Sequence, residues 1–432
     1  MYKRQFEDSD VIAVSSKLFN ASEKELHIRR LASLQLDLLG DYSVVTFEGA
    51  FARERQKVSR TLNKGVFYID SKNGASSHNR NPFVMAKGQD GVYAFNLVYS
   101  GNHKEIFEAC ESGKTRVLTG INDFMFRWML APGEQFDAPE AVMCFAPDED
   151  GVSSEMHAFI GEHIVRGKWK KKERPVLVNN WEGTHFDFNE EKLLGIARAA
   201  KKAGVELFVL DDGWFGNRFD EHRALGDWYD NIEKTGGGLK HLADKIREIG
   251  LDFGIWVEPE MISEDSDLFR KHPEFAMRVP GREPTRLRWQ LCLNLADEKV
   301  QNYVVRAISD VIARSGATYV KWDYNRTLTD PFGKGISQGE YFHRYILGYY
   351  RIVSRITEKF PDVLFEGCAG GGGRFDLGNL CYFQQYWTSD DTDARKRLKI
   401  QDGTSYGYPQ ATMGAHVSAC PNYHTGDSNP LE

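Results

Sequence analysis

From Pro175 onward the chain repeats one pattern: an amphipathic helix that stops at a glycine, a short apolar run, then a carboxylate. One helix begins at Asn189, a good N-cap, with Glu190 and Glu191 in its first turn. Leu193, Ile196, Ala197 and Ala200 share a face, and Gly204 stands where a C′ glycine belongs. The run VELFVL follows, almost wholly apolar, as a strand buried on both faces must be. The pattern returns with Leu239, Leu242, Ile246 and Ile249 before Gly250 and FGIWV, and with Val300, Val304, Ile308 and Val311 before Gly316 and TYVKW. Asp212 lies eight residues after Gly204, Glu258 eight after Gly250, and Asp323 seven after Gly316. Repeated units of this kind build a parallel sheet, and each delivers an acid to the C-terminal end of its strand, where such sheets carry their chemistry. No GxGxxG or GxxxxGK[ST] follows any strand, which removes the main support for dinucleotide or P-loop chemistry.

Six strand ends can be read: VNNWE, LDDGWFG, GIWVEPE, YVKWDYN, LFEGCAGG and QYWTSDD. Five hold a Trp and all hold an acid, so their convergence gives carboxylates for sugar hydroxyls and indoles for C–H faces. Each residue also has a plainer use. Asp211 or Asp212 alone could cap the next helix, and Trp214 or Trp256 alone could pack a core. Lys321, Asp323 and Asn325 differ, because alternate positions of one extended strand face one side. An ammonium beside Asp323 keeps its carboxylate ionised, as a nucleophile requires. Asp390, Asp391 and Asp393 crowd three acids into four residues ahead of Arg395, Lys396 and Arg397. Some must belong to a charged helix start, but crowding also raises a pKa, which suits a general acid. Magnesium or calcium binding by these acids is the competing use.

The first part of the chain has another texture. Runs at 28–39, 43–47, 66–70, 92–99, 124–130 and 141–145 alternate with turns such as Asn73-Gly74 and Ala131-Pro132-Gly133, which predicts an antiparallel β-sandwich. The expected boundaries are 1–165 for this portion, 166–174 for a basic, solvated linker, and 175–432 for the parallel portion. The 432 residues carry a net charge of −7 and are 41% hydrophobic, so a disordered chain is excluded and a nucleic-acid partner is not expected. No run of ~18 apolar residues predicts a membrane span, and the opening MYKRQFEDSD has no apolar core of a secretory signal. Six cysteines without CxxC pairing suggest a reducing, cytoplasmic setting and argue against structural zinc.

KWDYNR (321–326), CAGGGGR (368–374) and SDDTDARKR (389–397) resemble the nucleophile, CxxGxGR and SDxxDxxxR motifs of glycoside hydrolase family 36, typified by microbial α-galactosidases. NNWEGTHFDFNEEKL, LFVLDDGWFG, GIWVEPEM, TSYGYPQATMGAHVSACPN and SSHNRNPF (76–83) follow the same family pattern in order. The resemblance implies an N-terminal β-supersandwich, a TIM-type (β/α)8 barrel, and retaining hydrolysis of α-1,6-galactosides of the melibiose and raffinose type. It implies Asp323 as nucleophile and Asp390 as acid/base. Asp211 and Asp212 would hold the galactose O4 and O6 region, with Trp256 and Trp387 lining the ring and Lys321, Asn325 and Arg288 on its hydroxyls. Cys368 and Gly371 would lie beside the 2-OH. No metal or organic cofactor is implied, and relatives suggest a homo-oligomer, tetramer or dimer.

This sequence departs from the family pattern in having Phe51 for a Trp, and Leu287 and Asn294 for Gly and Asp. Strands beginning near 176, 206, 252, 318, 363, 382 and 411 make seven. The expectation is therefore a barrel lacking its last strand, in a chain truncated at both ends. Two other functions fit the same residues: a catalytically silent galactoside-binding protein, and galactosyl transfer of the raffinose-synthase kind.

Overall fold

The computed structural model describes residues 2–76 and 78–428; Ser77 of the SSHNRNPF motif and the closing NPLE lie outside the described residues. The first part forms two main antiparallel sheets. One has seven strands in the order Tyr2–Phe6, Ser9–Ser15, Ala141–Ala146, Val92–Leu97, Arg80–Lys87, Ser43–Glu48, Gln56–Thr61. The other has four, in the order Ala32–Leu39, Lys114–Ile121, His103–Ala109, Gly65–Asp70. Val44, Val45, Phe95, Phe107 and Val117 are fully buried, and the Phe95 and Phe107 rings meet edge to face across the two sheets at 6.5 Å. The run expected at 28–39 is broken: Leu26–Ile28 pairs with Trp128–Leu130, while Ala32–Leu39 pairs with Lys114–Ile121. The run expected at 124–130 is a strand only over its last three residues. Gln56–Thr61, His103–Ala109 and Lys114–Ile121 interleave charged or hydroxyl residues with their apolar positions and give no continuous apolar signal in the sequence, whereas Arg80–Lys87 carries the apolar run PFVMA yet is not among the expected runs.

A helix at Glu149–Phe159, capped by Asp148, leads into the basic segment. That segment is not simply solvated. Trp169 is only 7% exposed and packs with Leu207, Val209, Tyr319 and Leu364 under the N-terminal end of the parallel sheet. Its Nε1 donates to Asp362 O at 3.0 Å, and Arg174 Nη2 donates to Gln384 O at 2.9 Å. A fully apolar indole body with one polar edge suits such a plug.

The parallel strands are β1 (Leu177–Asn179), β2 (Leu207–Leu210), β3 (Asp252–Val257), β4 (Tyr319–Trp322), β5 (Leu364–Gly367), β6 (Gln385–Trp387) and β7 (Met413–Gly414). They pair in chain order, all parallel, at the seven places the sequence indicates. The outer layer includes α1 (Glu190–Lys202), α2 (Leu239–Ile249), α3 (Glu298–Ser315), α4 (Gln338–Lys359) and α5 (Ala394–Ser405). Asn189 caps α1 by accepting from Lys192 N, and Gly250 and Gly316 end α2 and α3 in the left-handed conformation. The sheet curls as an incomplete (β/α)8 barrel, and among the described residues β1 and β7 do not pair with each other. Register places Trp256 of β3 beside Lys321 of β4, Lys321 beside Glu366 of β5, and Glu366 beside Gln385 of β6. This inward layer forms the floor of the site. No described helix is long and apolar enough to cross a membrane.

Candidate active site

A cavity of about 1240 Å³ opens at the C-terminal ends of the parallel strands. Nine of the residues singled out from the sequence line it: Asp211, Asp212, Trp256, Arg288, Lys321, Asn325, Trp387, Asp323 and Asp390. The N-terminal portion contributes Phe51 and His78 to the same wall, so the exchange of Trp for Phe at 51 leaves an aromatic there.

Asp323 stands just past β4 and is 5% exposed. Its Oδ2 accepts from Trp256 Nε1 at 3.0 Å and from Asn325 Nδ2 at 2.8 Å, and its Oδ1 from the backbone N–H of Tyr324 at 2.8 Å. Burial pushes its pKa up, but the Lys321 ammonium and hydrogen bonds from Trp256, Cys368 and Asn325 outweigh this and hold it below the usual value. Asp323 is thus ionised and desolvated.

Asp390 is the opposite case. Its Oδ1 accepts from Trp387 Nε1 at 3.1 Å. Burial first, then the like charge of Asp323, lifts its pKa to about 7, against the pull of Lys321. Below about pH 7 it keeps a proton that Asp323 has lost. Asp391 and Asp393 take the structural role: Asp391 Oδ1 accepts from Asp393 N at 3.0 Å, and Asp393 caps α5.

Lys321 Nζ reaches Asp211 Oδ2 at 3.1 Å, and Asn179 Nδ2 reaches the same oxygen at 2.5 Å. Asp212 is gripped by the Arg218 guanidinium, with Nη2 at 2.8 Å from Oδ2 and Nε at 3.0 Å from Oδ1. Neither Asp211 nor Asp212 caps a helix; the helix that follows is capped by Asn231. Arg288 sits in the left-handed region at φ 52°, is about half exposed at the cavity edge, and has its Nη2 3.7 Å from Glu221 Oε2. Of the strand-end indoles, Trp181, Trp256 and Trp387 reach the cavity, whereas Trp214 and Trp322 are buried in the core.

Cys368 and Gly371 are not themselves among the residues lining the cavity, but Ala369, Gly370 and Gly373 of the same loop are. Cys368 is 1% exposed and supports Asp323 from behind. Gly371, at φ 79°, is pressed under the acid loop, where a Cβ would stand 2.6 Å from Asp390 N. Sequence reasoning also missed Glu258 as a buried support of the site, behind the cavity lining, though its place at a strand end was visible. Glu258 Oε1 accepts from Asn325 N at 2.8 Å and Gln290 Nε2 at 2.7 Å, and its Oε2 from Asn325 Nδ2 at 3.1 Å. It therefore aims the amide that holds Asp323. Burial and the charge of Asp323 lift the Glu258 pKa to about 7.

A parallel barrel sheet that brings an ionised carboxylate and a protonated carboxyl to one indole-lined cavity has the constellation of a glycoside hydrolase. Comparison with known proteins narrows the class. Residues 135–432 match the Melibiase family, and residues 1–131 match the glycosyl hydrolase family 36 N-terminal domain. The chain belongs to glycosyl hydrolase family 36. It is 47% identical to the α-galactosidase AgaA of Geobacillus stearothermophilus, over 98% of this chain and 59% of that protein. It is 44% identical to the α-galactosidase Mel36A of Lactobacillus acidophilus, over 99% of this chain and 60% of that one. The structure matches that of an AgaA variant in complex with raffinose with a TM-score of 0.97 at 45% identity, covering 99% of this chain and 61% of the other. The chain thus spans about three fifths of the length of these relatives.

Proposed function

We propose that this chain carries the catalytic site of a retaining α-galactosidase that removes terminal α-1,6-linked galactose from melibiose- and raffinose-type oligosaccharides. The observation that carries the proposal is the opposed protonation of Asp323 and Asp390 at one cavity. The names of the relatives support the substrate class.

In the first step Asp323 Oδ attacks the anomeric carbon while Asp390 gives its proton to the departing glycosidic oxygen. A galactosyl ester on Asp323 and a free alcohol result. In the second, Asp390, now a carboxylate, takes a proton from water, whose oxygen attacks the anomeric carbon from the opposite face and releases Asp323. Two inversions give net retention, and the carboxyls of such a pair lie ~5–5.5 Å apart. Asp211 and Asp212 accept from the sugar's O4 and O6 hydroxyls, and their clamps by Lys321 and Arg218 fix the acceptor directions. Trp256 and Trp387 cover the ring, while Lys321, Asn325 and Arg288 contact its hydroxyls. Residues 175–432 act as the catalytic portion, 1–165 as its N-terminal support and 166–174 as the connection. Six free cysteines support a reducing, cytoplasmic setting.

Asp323→Asn is the direct test. Turnover of an aryl α-galactoside should fall at least a thousandfold with the thermal unfolding midpoint little changed. Near-parental turnover in a folded variant would refute the nucleophile. Product stereochemistry by NMR, and oligosaccharide products at high sugar concentration, separate retaining hydrolysis from inversion and from transfer.

A further inference from the structure

Asp390 belongs to the barrel, yet the wedge beneath it comes from the N-terminal sheets. Between Ser43–Glu48 and Gln56–Thr61 the chain turns inward and buries Glu54 and Arg55 at 0% and 2% exposure. Glu54 Oε2 accepts from Ser389 Oγ at 2.5 Å, and its Oε1 from Gly372 N at 3.4 Å. Ser389 Oγ in turn accepts from Asp391 N at 3.1 Å, so one carboxylate reaches both residues that flank Asp390. Gly371 is held between the two acids: a Cβ there would stand 2.7 Å from Glu54 Oε1 as well as 2.6 Å from Asp390 N.

We propose that Glu54 is a positioning residue for Asp390: its buried carboxylate orients the 389–391 turn that carries the acid. Its like charge, which favours the protonated form of Asp390, accompanies that placement. This rests on the reading of Asp390 as general acid.

Both groups that hydrogen-bond Glu54 are donors, as a carboxylate site requires. His78 Nε2 lies 3.9 Å from Glu54 Oε1, but burial lowers the pKa of His78 and favours a neutral ring that leaves the Glu54 charge in place. Around Asp390, Asp323 and Glu54 favour the protonated form while Lys321 and Arg288 oppose it. Arg397 donates Nη1 to Ser389 O at 2.8 Å and feels both Glu54 and Asp390, and Arg55 adds a second cation beside Glu54. The thiol of Cys368 and the phenol of Tyr423, both raised by burial, stay neutral beside Asp390. Glu54 is the one acid in this set that comes from outside the barrel.

Glu54→Gln keeps the shape and an acceptor for Ser389 but removes the charge. In the intact protein, the basic limb of kcat/KM against pH on raffinose should move to lower pH by about half a unit or more. Ser389→Ala keeps the charge and breaks the link. Its kcat on raffinose should fall about tenfold, with a smaller fall on an aryl α-galactoside that needs little protonation and no shift of the limb. A Glu54→Gln profile that drops equally at every pH overturns the charge effect. Should that variant not fold, equal losses on both substrates in Ser389→Ala overturn the proposal. A parental protein that turns over neither substrate would instead refute the reading of this chain as an active hydrolase, on which the proposal rests.

Discussion

Arg374→Met probes the ion pair beneath Asp323. Glu260, just past β3, is fully buried and takes four hydrogen bonds. Arg374 supplies Nη2 to Oε1 at 2.6 Å and Nη1 to Oε2 at 3.1 Å; Trp322 Nε1 adds one at 3.0 Å and Tyr345 OH one at 2.8 Å. The guanidinium lies 4.0 Å from the centre of the Tyr324 ring and 4.5 Å from that of Tyr349. Without Arg374, the Glu260 carboxylate keeps two neutral donors in a buried site. Two charge-assisted bonds at about 1.5–3 kcal/mol each give a loss of about 3–6 kcal/mol. Breaking a buried pair from one side costs about 3–5 kcal/mol, so the two routes agree near 4 kcal/mol. The double variant Arg374→Met with Glu260→Met holds no stranded charge. It leaves the Trp322 and Tyr345 donors unpaired, at about 1–3 kcal/mol each, so it should be several kcal/mol more stable than the sum of the singles. Urea unfolding followed by tryptophan fluorescence measures all three, comparing midpoints at constant slope. Catalysis should fall too, because the backbone N–H of Tyr324 holds Asp323 Oδ1. A single variant within about 1 kcal/mol of the parent, or a double variant that merely adds the two losses, would sink this account.

Asp390→Ala should lose far more activity on raffinose than on an aryl α-galactoside, since only the former needs a proton on its leaving oxygen; equal losses would count against the acid role. In the parental protein the acid form of Asp390 is full below its pKa of about 7 and disappears above it, so kcat/KM on raffinose should decline as pH rises through about 7. A flat profile to pH 9 would contradict this. Trp169→Ala should cost about 3–5 kcal/mol in urea unfolding by emptying the plug under the barrel, while KM stays near the parental value. A stability change below about 1 kcal/mol would mean the floor closes without it.

The parallel sheet was legible because its signals are local: a cap, a 3.6-residue period, a terminal glycine and an apolar run each fit inside one short window; that it curls as a barrel came only from the family resemblance. Asp323 was legible as a site residue because Lys321, Asp323 and Asn325 share one strand end. Side-chain direction limited the rest. Trp256 and Trp322 both end strands next to site residues, yet Trp256 lies in the inward register with Lys321, while Trp322, one position further along than Lys321, turns outward to Tyr349 of α4. Gln56–Thr61, His103–Ala109 and Lys114–Ile121 escaped notice because their apolar positions are too few to mark a period, while the apolar run of Arg80–Lys87 lacks the alternation that marks a half-buried strand. Glu258 was visible as an acid but not as the partner of Asn325, since that pairing depends on how β3 and β4 align. Glu54 had no local signal; its partners lie 318 and 335 positions away.

Arg55 has a kinetic consequence. Its guanidinium bonds Gly372 O and Thr388 O, 317 and 333 positions downstream, and thereby clasps the loop after β5 to the end of β6. Links that span so much chain pay a large closure entropy before they return any enthalpy, so they form after the neighbouring strands have paired. Helix content and tryptophan quenching should therefore recover early on dilution from urea, and the ability to turn over substrate should arrive last, when the amino-terminal sheets dock.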